Sequence, residues 1–279
     1  MFRFSVLASG SKGNACYIET GEACVLVDAG LSCRELERRL TLMDLSASSL
    51  DAIILTHEHV DHIRGAGVMA RRYALPVYAT EGTISAGART IGKLPRFVPV
   101  ETGARFAIKD LVVEPFTKCH DASDPFALTL SCDGMKLGIA TDLGRSTRLV
   151  EDKLQGCNAL IMEFNHDPDM LENGPYPLFL KRRIKGPEGH LSNGEGACLV
   201  NLLAHESLDC VVCAHLSEIN NNPFSAHEEA RRSLVHSGFG KVQLIIAEQG
   251  SPGALIELRD ARADVLDNRA GNLLSKSKP

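Results

Sequence analysis

The chain has 279 residues, 44% hydrophobic and 23% charged, which is ordinary globular usage and excludes wholesale disorder. Thirty lysines and arginines stand against 35 aspartates and glutamates, a net charge of −5. A surface that grips nucleic acid or anionic lipid all round is thereby excluded, though a local basic patch is not.

The N-terminal stretch MFRFSVLASG runs almost directly into an alternating strand pattern and carries no signal-peptide core. No apolar run approaches the ~18–20 residues of a membrane-spanning helix, so a cytoplasmic protein with no membrane partner is expected. FRFSVLAS, the turn GSKGN and ACYIET-GE-ACVLVDAG read as strands joined by hairpin punctuation. Residues 32–45 read as a helix, with Ser32 as N-cap and Leu36, Leu40 and Met43 at helical spacing. DAIILTH and LPVYAT are apolar strands, with helical GAGVMARRYAL between them and TISAGARTIGKL after them. Residues 97–141 alternate as a series of short strands.

From Thr147 the pattern changes. TRLVEDKLQG is helical, NALIMEF is a strand, and residues 167–189 read as an irregular Pro/Gly-rich stretch with a short basic segment. SNGEGACLVNLLAHES is a helix, followed by strand DCVVCAH, helix SAHEEARRSLVHSG and strand KVQLIIAEQ. The chain thus falls into two halves, each mostly β and then mixed α/β. Residues 259–279 lose apolar density and are expected to form a partly disordered tail. The nine cysteines are odd in number, scattered and set in apolar runs, which suits buried reduced thiols. Cys210 and Cys213 form a C-x-x-C whose inner residues are both valine, inside a strand pattern.

The strongest chemical signal is THEHVDH, which places His57, His59, Asp61 and His62 directly after the apolar strand DAIIL. Neutral imidazoles and a carboxylate are the natural ligands of zinc or a similar divalent ion. Burying four such groups without a cation between them would be costly. Three further isolated ligand types, His120, Asp142 and His215, each follow an apolar strand, where open sheets gather functional groups.

The H-x-H-x-D-H motif, the earlier Asp28 in VLVDAG, His120, TDLG and His215, in this order, resemble the motif series of the metallo-β-lactamase fold superfamily over about residues 1–258. The resemblance implies an α/β fold, a four-layer αββα sandwich, in one hydrolase domain spanning 1–258. It implies two divalent ions: His57, His59 and His120 for the first, Asp61, His62 and His215 for the second, and Asp142 between them. Asp28 would brace the ligand loop. SGSKGNA, HDASDPFAL, EFNHD and AHLSEINNNP are similar to the WalJ/YycJ-type group of exonucleases. GHLSNGEGACLVNLL also resembles the arrangement in ribonuclease Z, which maps His190 onto a proton-donor position.

The implied activity is dinuclear metal-dependent phosphodiester hydrolysis of nucleic-acid ends by a hydroxide shared between the ions. Asp61 would orient the nucleophile and His190 protonate the departing oxygen. Zinc, manganese and iron all suit His/Asp ligand sets. LKRRIKG carries Lys181, Arg182, Arg183 and Lys185, either a solvated face or a phosphate-backbone contact. Ser11 and Asn14 in the GSKGN loop either grip a phosphate or simply make a turn, and His166 either lines the cleft or makes a structural hydrogen bond. Two rival readings remain at this point. One is a small-ester, lactone or cyclic-phosphodiester hydrolase on the same site; the other is a non-catalytic, metal-stabilised regulatory protein.

Overall fold

A computed structural model describes residues 1–258; the tail expected at 259–279 lies outside the described residues. Strands β1 (Phe2–Ala8), β2 (Ala15–Glu19) and β3 (Cys24–Val27) form an antiparallel meander. The chain continues through α1 (Cys33–Thr41), β4 (Ala52–Ile54), α2 (Val60–Ile63), α3 (Ala66–Tyr73), β5 (Pro76–Ala79), α4 (Glu81–Ile91) and β6 (Arg96–Pro99). Strands β3 to β6 pair in parallel.

The second half repeats this plan. Strands β7 (Phe106–Ile108), β8 (Leu111–Thr117), β9 (Phe126–Cys132) and β10 (Met135–Ala140) are antiparallel. Then come α5 (Arg148–Leu154), β11 (Ala159–Glu163), α6 (Pro168–Asn173), α7 (Leu178–Ile184), α8 (Asn193–Leu203), β12 (Cys210–Ala214), α9 (Pro223–His236) and β13 (Gln243–Ile246). Strands β10 to β13 pair in parallel, and β14 (Ile256–Leu258) crosses back to pair with β1. Each sheet therefore has seven strands.

The central strands CVLV, AII, ALIME and CVVCA are buried at every position. Continuous apolar runs of this kind belong to sheets covered on both faces. Phe4, Val25, Ile54, Leu128, Leu137 and Val212 fill the space between the sheets. Leu36, Leu40 and Met69 cover the outside of the first sheet, and Val150, Val200 and Leu234 the outside of the second. The result is the expected αββα sandwich. The helix boundaries follow local chemistry: Ser32 accepts from Glu35 N at the start of α1, and Ser192 and Glu195 form a reciprocal capping box on α8. Each such cap contributes about 1 kcal/mol.

One expectation is corrected. Residues 167–189 are not irregular but hold α6 and α7. Asp167 caps α6 by accepting from Asp169 N and Met170 N, with Pro168 in the first turn. All nine cysteines are free thiols. Burial pushes Cys210 and Cys213 up to about 12, so the C-x-x-C is strand interior without thiolate character. No helix among the described residues is long and apolar enough to cross a membrane.

Candidate metal centre

Ligand-type side chains gather where strands end. β4 runs into Thr56 and THEHVDH, with Asp61 and His62 on the short α2. β3 leads to Asp28, β8 runs on to His120, β10 to Asp142, β11 ends on Glu163, and β12 leads to His215. Asp28, Asp142 and His215 all adopt left-handed backbone conformations, with φ of 62°, 53° and 57°. Such conformations cost roughly 1–3 kcal/mol each for a residue with a Cβ and cluster where function requires a side chain to be re-aimed. Gly30 permits the ligand loop to close: a Cβ there would lie 1.6 Å from Asp61 O.

The imidazoles are oriented by their Nδ1 atoms. His62 Nδ1 lies 2.8 Å from Asp28 Oδ2, and His215 Nδ1 lies 2.9 Å from Glu163 Oε1. His120 Nδ1 faces the carbonyl of Gly189 at 3.3 Å. An acceptor oxygen requires an N–H opposite it, so each of these rings turns Nε2 into the cluster. Asp28 also accepts from Thr56 N and Oγ1, which is the bracing role expected of it.

His57, His59 and His120 bring one nitrogen each within 4.8 Å of one another, as do Asp61, His62 and His215 with one ligand atom each. Asp142 stands between these sets: its Oδ2 is 3.2 Å from His62 Nε2, and its Oδ1 is 3.3 Å from His215 Nε2 and 3.9 Å from His120 Nε2. All seven residues expected as ligands are thus brought together. His57 Nε2, His215 Nε2 and Asp142 Oδ2 are buried without a hydrogen-bond partner. His59 Nδ1 and His120 Nε2 face each other at 3.2 Å. Buried polar atoms are otherwise almost always satisfied, so this constellation fits cations and little else.

The electrostatics agree. Burial drives His57 well below its ordinary range and His120 down to about 3, leaving both neutral. Burial also opposes charge on His62, but Asp142 and Asp28 outweigh it and raise this ring to about 10. His215 is raised in the same sense, burial being overcome by Asp142, Asp61 and Glu163. Without metal, His62 and His215 therefore hold protons at pH 7 that a cation must displace. Metal uptake is expected to release protons and to weaken as pH falls. Calorimetric titration in buffers of different ionisation enthalpy measures this; uptake without proton release would contradict it.

Four residues of the site carry no expectation from the sequence. Glu163, fully buried, accepts from Leu143 N and Leu191 N on Oε2, and its Oε1 meets both His215 Nδ1 and His190 Nδ1, the latter at 2.8 Å. Both its oxygens are spent, so it holds two imidazoles rather than a cation. It stays ionised at about 2 because His190 and His215 outweigh its burial. Lys118 is a buried cation donating to Thr141 O, and Thr56 is the hydroxyl between Asp28 and His57 Nδ1. Asp121 places Oδ1 3.9 Å from His59 Nε2 and 3.7 Å from His120 Nε2, and its Oδ2 accepts from Arg183 Nε at 2.5 Å.

The expected substrate contacts divide. His190 is partly open, its ring 5.3 Å from that of His120 and 5.2 Å from that of His215. Arg183 reaches the cluster through Asp121, whereas Lys181 donates to Glu172 O and Lys185 pairs with the Glu172 carboxylate. Arg182 and Ser11 are exposed. Asn14 is buried: its amide accepts from Gly10 N and points Nδ2 at Gly10 O, Asp61 Oδ2 and His62 Nε2. Its side chain is spent on shaping the ligand loop instead of facing a substrate. His166 is also buried, with Nδ1 unpartnered, and bridges through its backbone to Ser192.

Residues 24–209 match the family model of the β-lactamase superfamily domain. Exodeoxyribonuclease YycJ of Bacillus anthracis is 39% identical over 240 residues, covering 85% of this chain and 90% of that protein. The chain belongs to the metallo-β-lactamase superfamily. Within it the YycJ/WalJ branch is the match, since exodeoxyribonuclease WalJ of Streptococcus pneumoniae is also 35% identical over 244 residues, covering 86% of this chain and 90% of that one. Among solved structures, the metallo-β-lactamase fold protein YhfI from Bacillus subtilis superposes with a TM-score of 0.69 at 16% identity, covering 90% of this chain and 98% of its own. The superfamily assignment and the His/Asp cluster make this chain a metal-dependent hydrolase.

Proposed function

We propose that the protein is a dinuclear metal-dependent phosphodiesterase that removes nucleotides from nucleic-acid ends, as the names of its exodeoxyribonuclease relatives suggest. The observation that carries this reading is the pair of adjoining ligand sets with Asp142 between them and the partly open His190 beside them. His57, His59 and His120 would hold one divalent ion, Asp61, His62 and His215 the other, and Asp142 would serve both; zinc, manganese and iron suit these donors. Such ions supply Lewis acidity to a phosphoryl group and make water acidic enough to attack it.

The chain's own groups supply the rest. Asp61, open to the cleft on one side and held by Asn14 Nδ2, orients the attacking water and accepts its proton. His190, fixed through Nδ1 by Glu163, presents Nε2 to the departing oxygen and protonates it. Arg182 and Arg183 contact the phosphate backbone, with Ser11 on the opposite loop. We further infer that residues 1–258 act as one catalytic domain in the cytoplasm, where nine unpaired cysteines persist.

The test is digestion of end-labelled single-stranded and duplex oligonucleotides with Zn²⁺ or Mn²⁺ supplied. Nucleotide release from an end is the expected result. No cleavage in any format by protein carrying both ions would refute the reading.

A further inference from the structure

The basic segment is a helix, and its face is specific. On α7, Leu180, Lys181 and Ile184 are half-buried, while Leu178, Phe179, Arg182 and Arg183 are exposed. Positions 179, 182 and 183 are related by three and four residues and share one side of a helix, with neighbouring Cβ atoms roughly 5–6 Å apart. Arg183 on that side is bonded to Asp121, whose other oxygen lies within 4 Å of His59 and His120. The outward face of α7 therefore begins at the metal centre and runs away from it, with Phe179 one helical turn beyond Arg183.

Phe179 is 74% exposed. Phe224 is equally exposed, but it lies in a depression shared with Asp167, Glu228 and Glu229. Phe179 instead shares its side of α7 with Arg182 and Arg183, on a chain whose net charge is −5. Arg182 makes no ion pair with a described residue. An aromatic face beside an unpaired cation, Arg182, matches an anionic strand with flat bases, and a turn of helix is close to one nucleotide step.

The geometry points to the outward face of α7 as a stacking platform for an unpaired nucleotide next to the scissile phosphate, with Phe179 against the base and Arg182 against the backbone. This rests on the nuclease reading and deepens it: a base inside a duplex has both faces covered by its neighbours, so the platform selects single-stranded or frayed ends.

The chain contains no tryptophan, so Phe179→Trp places a single tryptophan, excited selectively over the tyrosines, at the platform. With the metal-loaded variant, saturating phosphorothioate oligothymidylate, which resists hydrolysis, is expected to quench that emission, and a duplex of equal length to quench it far less. On cleavable single strands, Phe179→Ala is expected to raise KM about tenfold with kcat within about twofold, Phe179→Trp to restore KM, and Phe224→Ala, equally exposed but outside α7, to leave KM in place. Unquenched emission, an unchanged KM in Phe179→Ala, an equal effect of Phe224→Ala, or a dimer that Phe179→Ala dissociates would overturn the platform. If the unaltered enzyme releases no nucleotide, it is the nuclease reading that fails, and the quenching experiment still decides whether a strand docks on α7.

Discussion

Replacing His190 by alanine lowers kcat on a nucleic-acid strand by about 10²–10⁴-fold, the usual contribution of a positioned general acid. The physical basis is local. Glu163 Oε1 fixes Nδ1 of the ring at 2.8 Å, which leaves Nε2 to carry the transferable proton. Glu163 is itself immobilised by Leu143 N and Leu191 N, so the ring keeps its direction at little entropic cost when the substrate arrives. The departing oxygen of a nucleotide is a poor leaving group and needs that proton. A p-nitrophenyl diester does not, so the loss on it shrinks to within about tenfold while metal content stays constant. Kinetics on the two substrates check this. Equal losses on both would mean that His190 holds the site in shape and transfers no proton.

Asp142→Ala has the larger effect. Its carboxylate is buried with one oxygen facing His62 and the other facing His215 and His120. Removing one partner from a buried charged set costs about 3–5 kcal/mol. Here it also deletes the carboxylate that stands between the two ligand sets. Metal content falls below two per chain and turnover falls by at least about 10⁴-fold, comparable to losing a central member of a catalytic unit. Metal analysis together with single-turnover assays checks both parts. A variant that keeps two ions and ordinary turnover would remove Asp142 from its central place.

Much of this was legible because ligand residues that end apolar strands stand out. DAIIL before THEHVDH and DCVVCA before His215 announce themselves by contrast, and the structure brings all seven residues together. Glu163 obeys the same positional rule at the end of ALIME, yet a single acid closing a strand gives no ligand pattern, and its partners come from β12 and the loop before α8. Asn14 illustrates the opposite failure. Its place in a Gly-rich turn suggests phosphate, but a contact 47 residues away in sequence claims its amide. Helices α6 and α7 carry little sequence signal because six and seven residues give less than two full turns of apolar period. The Asp-Pro start of α6 was the available signal.

Whether the histidines and aspartates that converge from four strand ends hold two cations is most directly tested by native mass spectrometry of protein loaded with Zn²⁺ or Mn²⁺ and freed of excess ion. Two ions per chain are predicted. Saturation at a single ion, or none retained, would contradict the account.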